Sequence, residues 1–560
     1  MVRGMSKPPL TRAEATAYAE TSRHDDVLAF IDALCAETKL AARSSLGPSG
    51  EGRDIAALVL SDRRAHTPER ARRQGKAVVL IEANIHAGEV EGKEMVLALA
   101  RDLTVGKHAK LGKKLLSKLA LVIVPDFNPD GNDRISPRNR ALDLSTLEGQ
   151  VNPPGGVGTR YTGEGWNLNR DNTKQEAPET RVMARFYQAW WPELFIDCHT
   201  TDGSIHAFHL TYDCPRNNDP LFWATRSLNR KMLDRVARTV EARHGFRSTW
   251  YGNYVVEDDP TSGWHTYPAL PRFGSHHRGL LGRLDVLLET YSYLSFEDRC
   301  RTIYAWLFEL VRWAGRHHSE LVEVCAEEER RIVERGETPD PRYEVGIRYG
   351  VARRAPDGAL VFDYPAHALD GDVVELVAYD RPSIRARRYP GDRVERYEAP
   401  HYRSFVPEVS VKLPAAYVVP PELAPRLDAH GIRYEALDAD AELDVESYRV
   451  LAREETFSPD VAAAVPPPGE AELPLSAKPP PVRFETVLTV RGERRRITAK
   501  KGELVVPTAQ RAGVLAVHLL EPESEDGFAR WQFLDTQLLV GGYFPIHRVR
   551  TDARPPRKAE

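Results

Sequence analysis

Cysteine is scarce in this chain, and the five that occur (Cys35, Cys198, Cys214, Cys300 and Cys325) are odd in number and without paired spacing. That argues against a disulfide framework and against a cysteine-based metal site, leaving free thiols in core positions. No apolar run of about 18 residues is present, and residues 1–21 carry scattered charges in place of the apolar centre of a signal peptide. The chain therefore reads as soluble and cytoplasmic, or as the processed form of an exported protein. Charge of one sign is lacking as well: 77 Lys and Arg oppose 81 Asp and Glu, a net of −4. No bulk field points to nucleic acid or to an anionic membrane, and no partner follows from charge. Internal repeats are absent too.

What is there is an ordinary globular composition, 42% hydrophobic and 28% charged over 560 residues, too long for one core. Residues 15–39 have apolar positions at helical spacing and predict a leading amphipathic helix within a lead-in of residues 1–45. From 46 to 330, β-branched runs at 55–60, 77–81, 119–124, 194–198 and 285–289 alternate with helical segments at 90–103 and 299–316. That alternation predicts an α/β unit, a mixed, mostly parallel sheet sandwiched by helices. Loops rich in Gly, Pro and Asn would gather at the strand ends, where such sheets place their sites. Residues 331–464 read as a mixed accessory region with a strand at 373–378 and a small strand-helix element at 414–430. Residues 465–481 read as a proline-rich linker. Residues 482–560 read as a β-rich end region with strands at 484–490, 495–499 and 515–520 and a hairpin at Gly492.

Two segments carry metal chemistry. Residues 78–89, VVLIEANIHAGE, are a strand running into a loop that presents His86 and Glu89, with small Ala87 and Gly88 permitting the turn. Taken alone, His-x-x-Glu is a common surface pair. Residues 194–202, LFIDCHTTD, are a second buried strand that delivers His199 at its carboxyl end, with Asp197 or Asp202 available to orient the imidazole. A His, Glu, His set leaves one tetrahedral position open for water, the arrangement of a catalytic zinc.

With these residues in view, the chain resembles the zinc carboxypeptidase family, the carboxypeptidase A-like metallopeptidases, over about residues 20–325, with a C-terminal extension. The matching order is H-A-G-E at 86–89, F-N-P-D-G at 127–131, N-L-N-R at 167–170, D-C-H-T at 197–200 and L-L-E-T at 287–290. The resemblance implies one zinc ion per chain on His86, Glu89 and His199, and Glu289 as general base and then general acid. It implies that Asn169 and Arg170 grip the free carboxylate of a peptide or amide substrate, as guanidinium does by two parallel hydrogen bonds. The bland alternative pairs Arg170 with Asp171 in a loop. An arginine that polarises the scissile carbonyl is expected from Arg134, Arg138 and Arg140, with Arg140 the choice, and Tyr267 is the candidate for a tyrosine that covers the substrate, against Tyr291 and Tyr293. His276 and His277 read as pocket-lining or solvent-facing residues. One departure stands at Asn167, where relatives carry an acidic residue behind the first histidine.

Two other readings remain. The desuccinylase and aspartoacylase type of acyl-amino-acid amidohydrolase shares the site, but its clamp continues N-R-x-F-P-G, whereas here Asp171, Asn172 and Thr173 follow Arg170. A non-catalytic peptide or glycan binder would lack a ligand or the base, and all four groups are present. The role of residues 331–560 stays open, with shielding of one cleft wall as the hypothesis, and the sequence is silent on side-chain preference and oligomeric state.

Overall fold

Strands whose residues are apolar on both faces must be covered on both sides, and the sheet of this protein is built that way. The structure, a computed structural model, describes residues 8–143, 145–217, 220–256, 259–340, 342–354, 360–362, 373–379, 394–458 and 484–549. Eight strands form the main sheet: β1 (Ala41–Pro48), β2 (Asp54–Leu60), β3 (Ala77–Ala83), β4 (Leu119–Val124), β5 (Leu194–Thr201), β6 (Leu210–Asp213), β7 (Ser248–Trp250) and, after β8 (Asn253–Tyr254) and β9 (Trp264–His265), β10 (Leu284–Tyr291). Their spatial order is β1-β2-β4-β3-β5-β10-β6-β7. The four central strands β4, β3, β5 and β10 run parallel, the pairs β1–β2, β2–β4 and β10–β6 are antiparallel, and the edge strand β7 runs parallel to β6.

Alternate residues of the central strands enter two cores. Leu121, Ile123, Val79, Ile81, Ile196 and Val286 pack under helices His24–Glu37, Glu91–Thr104, Trp223–His244 and Phe296–Arg316. Ala120, Val122, Val78, Leu80 and Phe195 face the opposite side, where helix Pro178–Trp190 is joined by Val345, Leu515, Leu519 and Phe528. The second core is thus shared between the sheet and residues far down the chain. At about 25 cal/mol per Å² of apolar surface, such full burial is the main term holding the two parts together.

Beyond the main sheet, a six-stranded sheet is built around the long pair Ala441–Phe457 and Phe484–Ala499. The strand Val394–Tyr402 adds to β9 in parallel, His401 opposite Trp264. Among the described residues no helix is long and apolar enough to cross a membrane.

Local readings differ from the sequence expectation at three places. The leading helix is two, Arg12–Ala15 and His24–Glu37: a Thr11–Glu14 capping box starts the first, and left-handed backbone at Ala17 and Tyr18 ends it after a single turn. Residues 515–520 lie in a helix, Gly513–Leu520, all of it buried; an apolar run covered on every side has no period to distinguish helix from strand. Gly492 does not turn a hairpin but continues the strand Phe484–Ala499, opposite Tyr448. The proline-rich stretch 465–481 lies outside the described residues.

Candidate active site

The parallel register carries the site's geometry. Glu289 on β10 lies beside His199 on β5, and Asp197 on β5 lies beside Glu82 on β3, so the carboxyl ends of three strands open into one cleft. The chain leaves β3 through Asn84 at φ 65°, a conformation Asn tolerates, and brings His86 and Glu89 over the end of β5. Gly88 is required there: a Cβ would stand 2.6 Å from Arg140 Cδ and 2.9 Å from the Gly158 carbonyl oxygen. Below the site, the hydroxyls of Thr200 and Thr290 both donate to Glu91, which also receives Arg299 Nε at 3.0 Å, tying β5, β10 and helix Glu91–Thr104 together.

His86, Glu89 and His199 are 3%, 2% and 3% exposed. Their donor atoms all lie within 4.8 Å of one another. His86 Nδ1 is 3.1 Å and His199 Nδ1 is 3.0 Å from the two oxygens of Glu89. The outer nitrogens are engaged elsewhere, His86 Nε2 with Asn167 Oδ1 at 3.2 Å and His199 Nε2 with Asp197 Oδ1 at 3.1 Å. Arg160 Nη1 donates to His86 Nδ1 at 3.1 Å, so the lone pair of that nitrogen faces inward. Two inward-facing imidazole nitrogens flanking a carboxylate, each fixed from behind, are a donor set that fits zinc. Asn167, a neutral amide where the resemblance leads one to expect an acid, holds the outer nitrogen of His86. Asp197 serves His199, while Asp202 lies within 3.2 Å of the Gly149 amide instead.

Burial drives the His86 pKa down to about 3, with Arg160 adding to it. Burial opposes ionisation of Glu89, but His86, Arg140 and His199 outweigh it and hold the carboxyl well below its usual range. Burial also opposes charge on His199, and Asp197 and Glu289 reverse that, raising its pKa. Glu289, half-buried, is pushed up to about 8 by burial and by the carboxylates of Glu89 and Asp197, against His199 and Arg140. A divalent cation on the triad would act in the opposite sense on Glu289.

The cleft has a volume of about 690 Å³ and is lined by the triad, Glu289, Arg138, Arg140, Asn169, Arg170 and Tyr267, among others. Of the three arginines considered, Arg134 turns away to Glu51. Arg140 reaches inward, donating to Glu89 Oε1 at 3.1 Å and to the Thr200 carbonyl at 3.2 Å, with Gln150 holding its Nε at 2.9 Å. Asn169 and Arg170 sit on a short turn, Leu168–Arg170. Asn169 Oδ1 accepts from the Gly274 amide at 3.1 Å, and the Arg170 guanidinium lies 4.3 Å over the Phe273 ring. Tyr267 is packed against Tyr251, Phe273 and His276. Tyr291 instead stacks on His206, and Tyr293 donates to the Leu147 carbonyl. His276 and His277 are buried on the short helix Gly274–Gly279 and face neither solvent nor the triad.

Comparison with known proteins decides the family. The profile described as zinc carboxypeptidase matches residues 27–271, a span that takes in the triad and the Asn169–Arg170 pair. Residues 27–271 thus form a domain of the zinc carboxypeptidase family. Carboxypeptidase 2 of Trichophyton tonsurans is 21% identical over 521 residues, which cover 90% of this chain and 81% of the fungal protein. Among solved structures, a metallo-carboxypeptidase from Burkholderia cenocepacia is 18% identical at a TM-score of 0.38, covering 53% of this chain and 70% of the other. Thrombin activatable fibrinolysis inhibitor is 15% identical at a TM-score of 0.38, covering 55% and 81%. As a zinc carboxypeptidase, the protein is a metallopeptidase, a hydrolase of peptide bonds.

Sequence reasoning missed Arg160, Tyr251 and Glu91. Glu91 had a signal, a second acid two residues after a ligand on a helix that must be buried. Arg160 and Tyr251 had none, because their loops have no periodicity and reach the cleft only through tertiary packing.

Proposed function

We propose that this protein removes single residues from the free carboxyl end of peptides, using one zinc ion held by His86, Glu89 and His199. The observation that carries the reading is the convergence of three functions on one cleft: a metal-fitting triad, a carboxylate on the adjacent strand position, and an Asn-Arg pair. Zinc, when bound, supplies a Lewis acid and lowers the pKa of water toward neutrality.

The chain's own groups do the rest. Arg170 and the amide nitrogen of Asn169 bind the substrate carboxylate; the amide oxygen of Asn169 is already committed to Gly274, which fixes the amide with its donor toward the cleft. That grip sets which peptide bond reaches Glu289. Glu289 takes a proton from the attacking water and delivers it to the leaving amine. Burial raises the Glu289 carboxyl and a cation on the triad lowers it, and these opposed influences suit a group that must both accept a proton and give it up. Arg140, beside Glu89, stabilises negative charge developing on the carbonyl oxygen. Tyr267, packed on the same Phe273 ring that underlies Arg170, covers the bound residue.

The test is a panel of peptides offered with free and with amidated carboxyl ends, read by mass spectrometry. Stepwise loss of single residues, far faster from free than from amidated ends, is the expected result; internal cleavage, or equal hydrolysis of amides, contradicts it.

A further inference from the structure

The carboxylate-binding pair does not stand on its own scaffold. Loop 270–275 holds it from one side: the Gly274 amide fixes Asn169, the Phe273 ring underlies Arg170, and the Arg272 carbonyl accepts from Asn172 Nδ2 at 3.0 Å. The same loop is anchored from about 210 to 260 positions further along the chain. Arg272 is 3% exposed; its amide and Nε donate to Asp526 at 2.5 and 3.0 Å, and its Nη1 donates to Glu485 at 2.7 Å. On the other side of the pair, Lys174 donates to the Arg170 carbonyl and lies 4.0 Å over the Trp531 ring. Arg272 lies 4.6 Å over the same ring, whose Nε1 donates to Asp526 at 3.1 Å.

Trp531 is therefore gripped by two cations, one from each segment flanking Arg170, with two carboxylates closing the set. An ion pair and an indole buried this deeply carry a desolvation cost and are weak evidence for stability alone. They do fix distances, because a bidentate guanidinium has one geometry on its carboxylate. Resting on the peptidase reading above, we propose that Asp526, Glu485 and Trp531 of the C-terminal region are positioning residues for the substrate carboxylate, acting through loop 270–275 on Asn169 and Arg170. The C-terminal region is then a working part of the substrate site and not only a wall beside it.

The full-length chain is compared with Asp526→Asn and Glu485→Gln. KM and kcat are measured on one peptide with a free carboxyl end and on its amide, alongside zinc content and thermal midpoint. The expected result is a KM raised about tenfold or more on the free-acid peptide, about 1.4 kcal/mol, with kcat and zinc content within about twofold and amide hydrolysis unchanged. Folded variants with unchanged KM overturn the proposal, as do equal losses on both substrates, which would mark a merely structural contact. If Asp526→Asn does not fold, Glu485→Gln decides, because Glu485 also has Ser458 and Arg530 as partners and its amide is not left stranded. A wild type without preference for the free acid removes the peptidase reading and this proposal together; a wild-type preference that both variants retain removes the proposal alone.

Discussion

Glu289→Gln deletes a proton acceptor while preserving the shape of the cleft, and the structure assigns it two opposite effects. The first is on turnover. A positioned general base contributes about 10²–10⁴ in rate, so kcat falls by that factor while His86, Glu89 and His199 still hold zinc. The second is on stability without metal. The Glu289 carboxyl is pushed from an ordinary 4.5 to about 8. A carboxyl whose folded pKa is raised binds its proton more tightly folded than unfolded, so stability falls as pH rises from the unfolded value toward the folded one. At about 1.4 kcal/mol per pH unit, the metal-free wild type loses at most about 3 kcal/mol between pH 4.5 and 7, and less because the group is partly open to solvent. Metal-free Glu289→Gln escapes that loss. Urea denaturation in chelator should find it more stable than wild type by about 1–3 kcal/mol at pH 7 and equal to it near pH 4. Residual kcat within about tenfold of wild type would refute the assignment of the base, and loss of zinc would mean that Glu289 supports the metal instead.

On the proposed grip of the substrate carboxylate, Arg170→Ala removes a charge-assisted contact, worth about 2–5 kcal/mol when truncated; kcat/KM on free-acid peptides should fall by about 30-fold or more, while amides lose far less, and equal losses would argue against a terminal clamp. Gly88→Ala drives a Cβ into Arg140 and the Gly158 carbonyl, so activity should drop by at least about tenfold, and an unchanged kcat would mean the loop yields freely. Asp197 and Glu289 favour a proton on His199, which a metal must displace; zinc binding near neutral pH should release about one proton, read by calorimetry in buffers of different ionisation enthalpy. Affinity then falls as pH is lowered, and binding without proton release would contradict that competition.

The grouping of His86, Glu89 and His199 was legible because each half is local: a strand and a polar side chain at its carboxyl end, as in residues 78–89 and 194–199. Glu289 stood out as a charge in an apolar strand, though the strand runs on to Tyr291 and does not end at it. Arg140 was a choice among three arginines, since reach depends on the loop path and not on spacing. Asn167 looked like a defect in sequence, yet an amide oxygen 3.2 Å from His86 Nε2 does what an acid there would do. The contacts of the C-terminal region were beyond sequence reasoning altogether. Nothing in periodicity links Asp526 to Arg272, and the helix Gly513–Leu520 is apolar on all sides, so its burial against the sheet erased the pattern that would have identified it.

The most direct test of the account is zinc content and peptide hydrolysis measured side by side on wild type and His199→Ala. About one zinc per wild-type chain, lost in the variant together with release of single residues from free carboxyl ends, is the predicted result. A wild type that binds no zinc, or one that binds zinc and releases no residue from any free carboxyl end, would contradict it.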